Sequence, residues 1–494
     1  MHQRELRISQ SRSRDRLRAA SRFPARPSSN GRIALLTPYF PLFDGTFPDD
    51  YRTRQEQNAQ QLADLLTGWG FEVHHLGLTD SESLAVEHGK RLASVDPHVV
   101  LVAPVMAAPA TYSVPAVTLI DRPSVVCQVV RRARIGADYD EIDATEDSTL
   151  LGCIMACSGL RRANRQFAHV MLTDLASQHH LARVLYGAIA SRSLVGKRIG
   201  LLGATLEGYV DVELSAAELD QIGLVGVEVP GHALMAGFES VDETDVADAR
   251  VALAASGLSI ALDDGSVQRD LKLAVALERI VASYELDALS FNCHGDLFRR
   301  SPIVGIPGCL AGSVIASSEC PVTCTGDVST IVALLVAQQF TPKVQYCEPY
   351  TFEYASGRVI LGSCGIGNLA TASSSTNPSV CVNYAYPGSK SPGCCVRFGL
   401  EAGAATLLAY VPREVGGDEI GLLLSMSGSL SDDFHQDMHG PNAVLQLSGD
   451  DPTSSLSDWA IEGPAHHLAL AGADISVEIA TLSAFSRIRH RHVG

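Results

Sequence analysis

The sequence has few basic residues for its length. It contains 38 Lys and Arg against 55 Asp and Glu, which gives a formal net charge of -17 at pH 7. A nucleic-acid-binding protein needs clustered Lys and Arg that neutralise phosphates. The charge balance therefore argues against nucleic acid as a partner, and acidity of this kind usually keeps a protein soluble.

The sequence also lacks an apolar run that is long enough to cross a bilayer. Its longest apolar passages are residues 99–120, which three prolines interrupt, and residues 331–340. Because a spanning helix needs about 20 apolar residues, we predict no transmembrane segment and no membrane partner. The arginine-rich first 30 residues are not followed by the apolar stretch of a secretory signal. We therefore predict a disordered basic tail at residues 1–30 and a cytoplasmic location.

Cysteine is too sparse for a disulfide scaffold, since 12 of 494 residues is about 2%. Two Cys-x3-Cys pairs are present, Cys153/Cys157 and Cys320/Cys324. Their spacing matches neither the zinc-binding nor the thioredoxin motif. In a cytoplasmic protein, reduced thiols are the expected state. We therefore predict buried apolar thiols rather than a sulfur-ligated metal.

A chain of 494 residues predicts two or three domains, at roughly 150 residues each. Residues 31–195 alternate short apolar strands with helical stripes, which is typical of a parallel sheet covered by helices. Residues 196–345 repeat this pattern, although the glycines of residues 200–208 do not form the G-x-G-x-x-G nucleotide motif. Residues 346–494 carry short β-type runs instead. We predict two α/β domains followed by a mainly β C-terminal domain, built as a barrel or a sandwich.

Chemically capable residues follow several of the short apolar runs. Asp327 lies between a strand-like and a helix-like segment, where an aspartate can bind a metal, transfer a proton or cap the helix. Glu348 and His294 are either surface groups or site residues. His466 and His467 follow a Gly-Pro turn that can present one imidazole inward. One Asp, one Glu and one or two His in a common site would favour Mn²⁺ or Mg²⁺ over a thiolate zinc site.

Four motifs, taken in their common order, resemble the L-fucose/L-arabinose isomerase superfamily, especially its fucose-isomerase-like branch. They are Asn292-Cys-His through Gly308-Cys309-Leu, Cys324-Thr-Gly-Asp-Val328, Leu361-Gly-Ser-Cys-Gly365 and Gly463-Pro-Ala-His-His467. The likeness is strongest over residues 287–370 and extends over nearly the whole chain after the tail. It implies two Rossmann-like three-layer domains before a β-rich domain. It also implies a homo-oligomer, a trimer or a hexamer, with active sites between subunits.

The resemblance also implies a function and a set of site residues. The enzymes of this superfamily interconvert aldoses and ketoses through a metal-bound enediol, so the expected substrate is a small carbohydrate. Asp327, Glu348 and His467 match the positions of metal ligands, which implies Mn²⁺ or Mg²⁺ as the cofactor. Asp327 and Glu348 would also take part in catalysis. Cys309 is closest to the position of an acid/base glutamate.

Two positions depart from the motifs of the superfamily. Thr325 stands where a glutamate is usual, and Ser363 stands where a histidine is expected. These changes remove a carboxylate and a nitrogen donor, so a metal either binds weakly, binds through a different set of ligands, or does not bind. Three hypotheses follow: a sugar ketol-isomerase, a carbohydrate-binding pseudoenzyme, or an enzyme of diverged chemistry with Cys309 or Cys364 as a thiolate.

Overall fold

The computed structural model describes residues 31–260, 262, 264–383 and 393–494. The basic tail predicted at residues 1–30 lies outside the described residues. The chain forms two compact units: residues 31–193 with Val477–Ser486 form the first, and Leu194–Ser476 with Arg487–Gly494 form the second. Across the described part of the chain, no helix has the length and apolar character needed to cross a membrane.

The first unit contains a five-stranded parallel sheet in the order β2-β1-β3-β4-β5. Its strands are β1 (Arg32–Pro38), β2 (Glu72–Thr79), β3 (Val99–Val102), β4 (Ser124–Val129) and β5 (Ala168–Leu172). Its helices are Tyr51–Gly68, Glu82–Ala93, Val114–Ile120, Glu141–Glu146, Thr149–Arg162, Leu175–Ala190 and Ser476–Ala484, with short 3-10 turns at Pro41–Phe43 and Ala110–Tyr112.

Apolar residues on both faces of the first sheet explain why its strands are continuous apolar runs. Ile33 and Leu35 belong to one core cluster, whereas Ala34 and Leu36 belong to another. Successive side chains of a strand point to opposite faces, so the two clusters lie on the two sides of the sheet. A parallel sheet that is covered by helices on both faces has this pattern.

The second unit begins with a four-stranded parallel sheet in the order β10-β9-β6-β7. Its strands are β6 (Arg198–Leu202), β7 (Val225–Glu228), β9 (Ala288–Phe291) and β10 (Val322–Thr323). The helices of this part are Ala216–Gln221, Gly231–Glu239, Glu243–Ala255, Asp264–Ser283, Cys309–Ala316 and Ser329–Gln338. A small sheet joins β8 (Ser259–Ile260) to β13 (Ser379–Val382) and β14 (Cys394–Arg397).

The C-terminal part of the second unit is a large sheet that closes on itself. Six strands follow one another in the order β15-β18-β11-β12-β17-β16, and β16 also pairs with β15. These strands are β11 (Val344–Glu353), β12 (Arg358–Gly362), β15 (Gly403–Pro412), β16 (Gly421–Leu430), β17 (Asn442–Leu447) and β18 (Leu468–Ala471); β19 (Ile488–His492) adds to β16 in parallel. The helix Pro452–Ile461 and the 3-10 turns Leu369–Thr371 and Ser374–Thr376 complete this part.

This architecture confirms the predicted α/β fold class with a mainly β C-terminal region. The helix Ser329–Gln338 is apolar on all sides because it packs against β11, β15 and β18 as well as against the parallel strands. Its residues 329–337 are all buried. The three domain boundaries given above stay a prediction.

Candidate functional site

The candidate site lies at the carboxyl edge of the four-stranded parallel sheet, where open α/β sheets usually bind ligands. Loops leave this edge after β6, β9 and β10. They are held together by backbone hydrogen bonds: the Leu206 N–H donates to the Thr325 carbonyl at 2.9 Å, and the Gly326 N–H donates to the Phe291 carbonyl at 3.1 Å. The Val212 carbonyl accepts from the N–H groups of Val328 and Ser329, each at 3.0 Å. The loop after β6 thus lies against the start of the helix Ser329–Gln338.

A tight turn after β10 determines where Asp327 lies. Thr325 and Gly326 both have positive φ angles, of 59° and 76°. A β-branched residue rarely adopts such a φ, so Thr325 is strained; its hydroxyl donates to the Cys324 carbonyl at 2.6 Å. A Cβ atom on Gly326 would lie 2.5 Å from the Cα of Thr205. Only glycine fits there.

We expect Gly326→Ala to destabilise the second unit by about 2–4 kcal/mol. The new methyl group would overlap backbone atoms of Thr205, and backbone atoms cannot shift without disturbing the surrounding fold. Urea unfolding of the full chain measures this loss. Gly208→Ala is the matched control, since Gly208 also has a positive φ of 89° but has open space around its Cβ position. Equal effects of the two substitutions would contradict the close approach to Thr205.

Asp327 uses both carboxylate oxygens and is completely buried. Oδ1 accepts from the backbone N–H of Thr330 at 2.9 Å, which is the contact of a helix cap. Oδ2 lies 3.0 Å from Nδ1 of His467. Asp327 thus contacts both the start of the helix Ser329–Gln338 and the His467 imidazole; its role as a metal ligand or an acid/base group stays a prediction.

His467 lies between two carboxylates. In the antiparallel pairing of β11 with β18, Cys347 faces Leu468, so the next pair in register is Glu348 and His467. The imidazole is buried, and its Nε2 is 3.7 Å from Oε1 of Glu348. The ring also packs on Tyr346, with a centroid distance of 4.8 Å. Each ring nitrogen of His467 thus faces one carboxylate.

Glu348 is the accessible member of this array, with 23% of its side chain exposed against 3% for His467 and none for Asp327. Burial raises the pKa of Glu348, and the nearby imidazoles of His467 and His466 oppose this shift. A carboxyl group with a raised pKa can accept and return a proton near neutral pH. Burial also raises the pKa of the Tyr346 hydroxyl, so this group stays protonated beside His467.

A second aspartate, Asp211, holds the neighbouring His466. Its Oδ2 accepts from the His466 backbone N–H at 2.9 Å and lies 2.6 Å from Nδ1 of the same residue. Burial raises the pKa of Asp211, but the hydrogen bonds from His466 outweigh it and keep this pKa below its usual value. The two imidazole centroids are 3.9 Å apart. No motif or periodicity in the sequence points to Asp211, because this residue lies in an irregular loop.

Asp327, Glu348, His467, His466 and Asp211 together are called the histidine cluster below. The three predicted metal ligands in this cluster do not converge on a single point in this structure. Asp327 and Glu348 face different nitrogens of the His467 ring. An ion on Nε2 can reach Glu348, but Asp327 then lies behind the ring, as a partner that orients it. Within the described residues, no group of three or more His, Cys, Asp or Glu side chains is arranged around one point as metal ligands. Metal binding by these three residues stays a prediction.

Three cysteines lie on the side of the site near β9 and β10. The Cys324 thiol hydrogen-bonds with the thiols of Cys293 and Cys364 and lies 3.9 Å from the Tyr346 hydroxyl. The hydrogen bond from Cys324 lowers the pKa of Cys293, which in turn raises the pKa of His294 through their own hydrogen bond. His294 therefore belongs to this thiol group and not to the histidine cluster. The two departures noted in the sequence, Thr325 and Ser363, are both buried.

Cys309 begins the helix Cys309–Ala316 and is buried, and burial raises the pKa of its thiol. The Asn383 side-chain amide donates to its sulfur at 3.1 Å and to the Cys364 carbonyl at 3.2 Å. A buried thiol with a raised pKa is a poor nucleophile. No hydrogen bond joins Cys309 to the histidine cluster in the described ranges of the chain. The acid/base role of Cys309 stays a prediction without support from its surroundings.

Asp270 is a fully buried carboxyl group close to Cys309. Its Oδ2 accepts from the Cys394 N–H at 3.1 Å, and Oδ1 has no hydrogen-bond partner among the described residues. Burial raises its pKa to about 7, although the hydrogen bonds from Cys394 oppose the shift. The folded chain therefore keeps a proton on Asp270 that the unfolded chain loses above its ordinary pKa of 3.8.

Because the pKa of Asp270 is higher in the folded chain than in the unfolded chain, the free energy of unfolding falls as the pH rises from about 4 to about 7, by up to about 4 kcal/mol. Asp270→Asn keeps a hydrogen-bond acceptor but cannot carry a charge. We expect its free energy of unfolding to exceed that of the natural chain at pH 8, and the two values to lie closer together at pH 5. Urea unfolding at the two pH values measures this, with the exposed Asp248→Asn as the control. A stability gap that does not widen toward pH 8 would show that Asp270 is not titrating on unfolding.

No family model matches this chain. Three curated proteins named sulfoquinovose isomerase are similar to it. One, from Alkalicoccus urumqiensis, is 25% identical over 227 residues, which cover 45% of this chain and 48% of that protein. Those from Priestia aryabhattai and Priestia megaterium are each 22% identical over 351 residues, which cover 68% of this chain and 73% of the relative. The chain thus spans about half the length of the first of these relatives.

Proposed function

We propose that this chain is a sugar isomerase that interconverts an aldose and a ketose through an enediol. The observation that carries the proposal is the array in which the His467 imidazole links the buried Asp327 to the accessible Glu348. The distant relatives support it at the level of an isomerase that acts on a sugar. They agree in reaction class with the superfamily that the sequence motifs resemble.

Isomerisation requires one group that removes a proton from the carbon next to the carbonyl and returns it to the neighbouring carbon. Glu348 suits this task because it is partly exposed and its pKa is raised. It would take the proton from C2 of the aldose and deliver it to C1 of the enediol, while the proton of the C2 hydroxyl moves to the C1 oxygen, so that the aldehyde oxygen becomes a hydroxyl and the C2 oxygen becomes the ketone. The same carboxyl group serves both steps, so it ends the cycle in the state in which it began.

The tautomer of the His467 imidazole determines which group faces Glu348. When the Nδ1 proton of the imidazole is donated to Asp327, Nε2 carries the lone pair that faces Glu348. Nε2 is 3.7 Å from Oε1 of Glu348, so the carboxyl group has to move closer before a proton on it can be shared with Nε2. The imidazolium that forms is stabilised by the buried carboxylate of Asp327. We propose that the pair Asp327 and His467 orients the base.

His466 lies at the open side of the array, with Asp211 as its partner. About two fifths of the His466 side chain is exposed, at 41%. With its Nδ1 facing Asp211, its Nε2 is available to a substrate hydroxyl or carbonyl oxygen. We propose that His466 binds an oxygen of the sugar and that Asp211 fixes the orientation of the ring.

The cofactor and the assembly are proposals that rest on the resemblance. Mn²⁺ or Mg²⁺ is the ion that it implies, and a trimer or a hexamer in the cytoplasm is the implied form. The partial exposure of Glu348 and His466 leaves a face that a second copy of the chain can cover. Sedimentation of the purified chain measures the number of copies, and metal analysis of the same sample measures the bound ion.

Incubation with a panel of sugars tests the proposed reaction. The panel contains sulfoquinovose, pentoses, 6-deoxyhexoses and sugar phosphates, each with added Mn²⁺ or Mg²⁺ and with a chelator. We expect at least one aldose to be converted into its ketose. No interconversion of any sugar under any of these conditions would contradict the proposal.

A carbohydrate-binding protein without turnover is the second candidate function. Thr325 and Ser363 favour it, because they stand where the superfamily has a carboxylate and an imidazole. Such a protein would show a higher melting temperature with a bound sugar, since a ligand that binds only the folded state stabilises it. Stabilisation by a sugar that is never converted would support this alternative over the isomerase.

A further inference from the structure

Two cysteines face each other across a pair of short strands in the second unit. The strands β13 and β14 are antiparallel, and their register pairs Cys381 with Cys395. The two sulfur atoms are 3.4 Å apart. The proposed isomerase mechanism uses neither residue.

The backbone at this pair has the spacing of a disulfide. The Asn383 N–H donates to the Gly393 carbonyl at 3.0 Å, so residues 383 and 393 are a hydrogen-bonded pair. Hydrogen-bonded and non-bonded pairs alternate along antiparallel strands, which makes Cys381 and Cys395 a hydrogen-bonded pair as well, with Cα atoms about 5.5 Å apart. Disulfides join residues whose Cα atoms are about 4.4–6.8 Å apart. The sulfurs can therefore reach bonding distance through side-chain rotation, without a change of register.

The two thiols differ in exposure. Cys395 is fully buried and packs against Cys309, whereas Cys381 is half-buried at the edge of the same group. The hydrogen bond from the Cys395 thiol lowers the pKa of Cys381 to about 7, helped by the charge of Arg397 and opposed by burial. A substantial fraction of Cys381 is then thiolate at neutral pH, and the thiolate is the form that reacts with oxidants.

We propose that Cys381 and Cys395 form an oxidation site at which a hydroperoxide produces a reversible disulfide within the chain. In the first step the Cys381 thiolate attacks one peroxide oxygen, the O–O bond breaks and hydroxide leaves. Cys381 becomes a sulfenic acid. In the second step the Cys395 sulfur attacks the Cys381 sulfur, the S–O bond breaks, and the departing hydroxide takes the Cys395 proton as water. Two thiols are oxidised and one hydroperoxide is reduced.

Mass spectrometry of the full chain tests the site. The reduced protein is treated with one equivalent of hydrogen peroxide, blocked with N-ethylmaleimide and digested without reductant. We expect a linked peptide pair that contains Cys381 and Cys395, lighter by two hydrogens than the two separate peptides. Dithiothreitol should restore both thiols. This readout does not depend on the isomerase proposal, because no sugar is involved.

Three variants complete the experiment. Cys381→Ser and Cys395→Ala should each abolish the linked pair, and their melting temperatures in reductant show whether they fold. Cys157→Ser, which changes a half-buried thiol of the first unit, should leave the pair unchanged. A Cys381 that proceeds to sulfinic acid while Cys395 is still alkylated would overturn the proposal. A link between Cys395 and Cys309 in the natural chain would also overturn it.

Discussion

Glu348→Gln should lower kcat for sugar interconversion by about 10²–10⁴-fold, which is the usual contribution of a general base. Glutamine keeps the size and the polar oxygen of the side chain but cannot accept a proton from carbon. The KM of the sugar should change much less than kcat, because the substitution removes a proton-transfer group and leaves the binding surface in place. Steady-state kinetics with the sugar identified in the panel measure both constants.

The control for this variant lies on the same strand. Glu353 is also part of β11, but it is exposed and pairs with Arg358 on the surface. Glu353→Gln should leave kcat within about two-fold of the natural value, since exposed ion pairs contribute little. A Glu348→Gln protein with full activity would remove Glu348 from the mechanism.

Asp327→Asn should lower kcat by about 10²–10⁴-fold while the chain stays folded, because the position of the histidine proton changes. The amide oxygen can still accept from the Thr330 N–H, so the helix keeps its cap. The amide nitrogen then faces Nδ1 of His467 and donates to it, which moves the imidazole proton to Nε2. Nε2 would no longer offer a lone pair to Glu348. The pH profile of kcat should also change, which a purely structural loss would not cause.

Asp327→Ala separates the two tasks of this side chain. It removes the acceptor for Thr330 and for His467 together, and two buried donors are left without a partner. We expect a loss of about 2–4 kcal/mol in unfolding free energy in addition to the loss of activity. If Asp327→Asn lost as much unfolding free energy as Asp327→Ala, the asparagine would not be keeping the contact with the Thr330 N–H. The two roles assigned to Asp327, in helix stability and in orienting the His467 proton, would then be wrong.

Local patterns predicted much of the fold. Runs such as Val99–Val102 are apolar on both faces, and this property alone indicates a strand inside a helix-covered parallel sheet. The position of Asp327 between a buried strand and an apolar helix allows a helix cap or a site residue, and the Gly-Pro turn before the paired histidines allows one imidazole to point inward. In each case the signal lies within a few residues of the feature. The choice of Asp327 and His467 as site residues rests on the resemblance.

The remaining features depend on contacts between distant segments. His467 faces Glu348 because β18 pairs with β11 in one register, and a shift of one residue would turn every side chain of the strand to the other face. Asp211 reaches His466 from a loop 255 positions away in the chain. The closure of the C-terminal sheet depends on the pairing of β15 with β16. No periodicity or motif in the sequence encodes these pairings.

The incorporation of solvent deuterium tests the central claim most directly. The natural chain is incubated in D₂O with the aldose that it converts, and the carbon-bound hydrogens of both sugars are followed by NMR. We predict deuterium at C1 of the ketose and C2 of the aldose, because Glu348 exchanges its proton with solvent while the enediol is bound. Glu348→Gln should show no such exchange. Interconversion without any deuterium, or equal exchange by Glu348→Gln, would contradict the account.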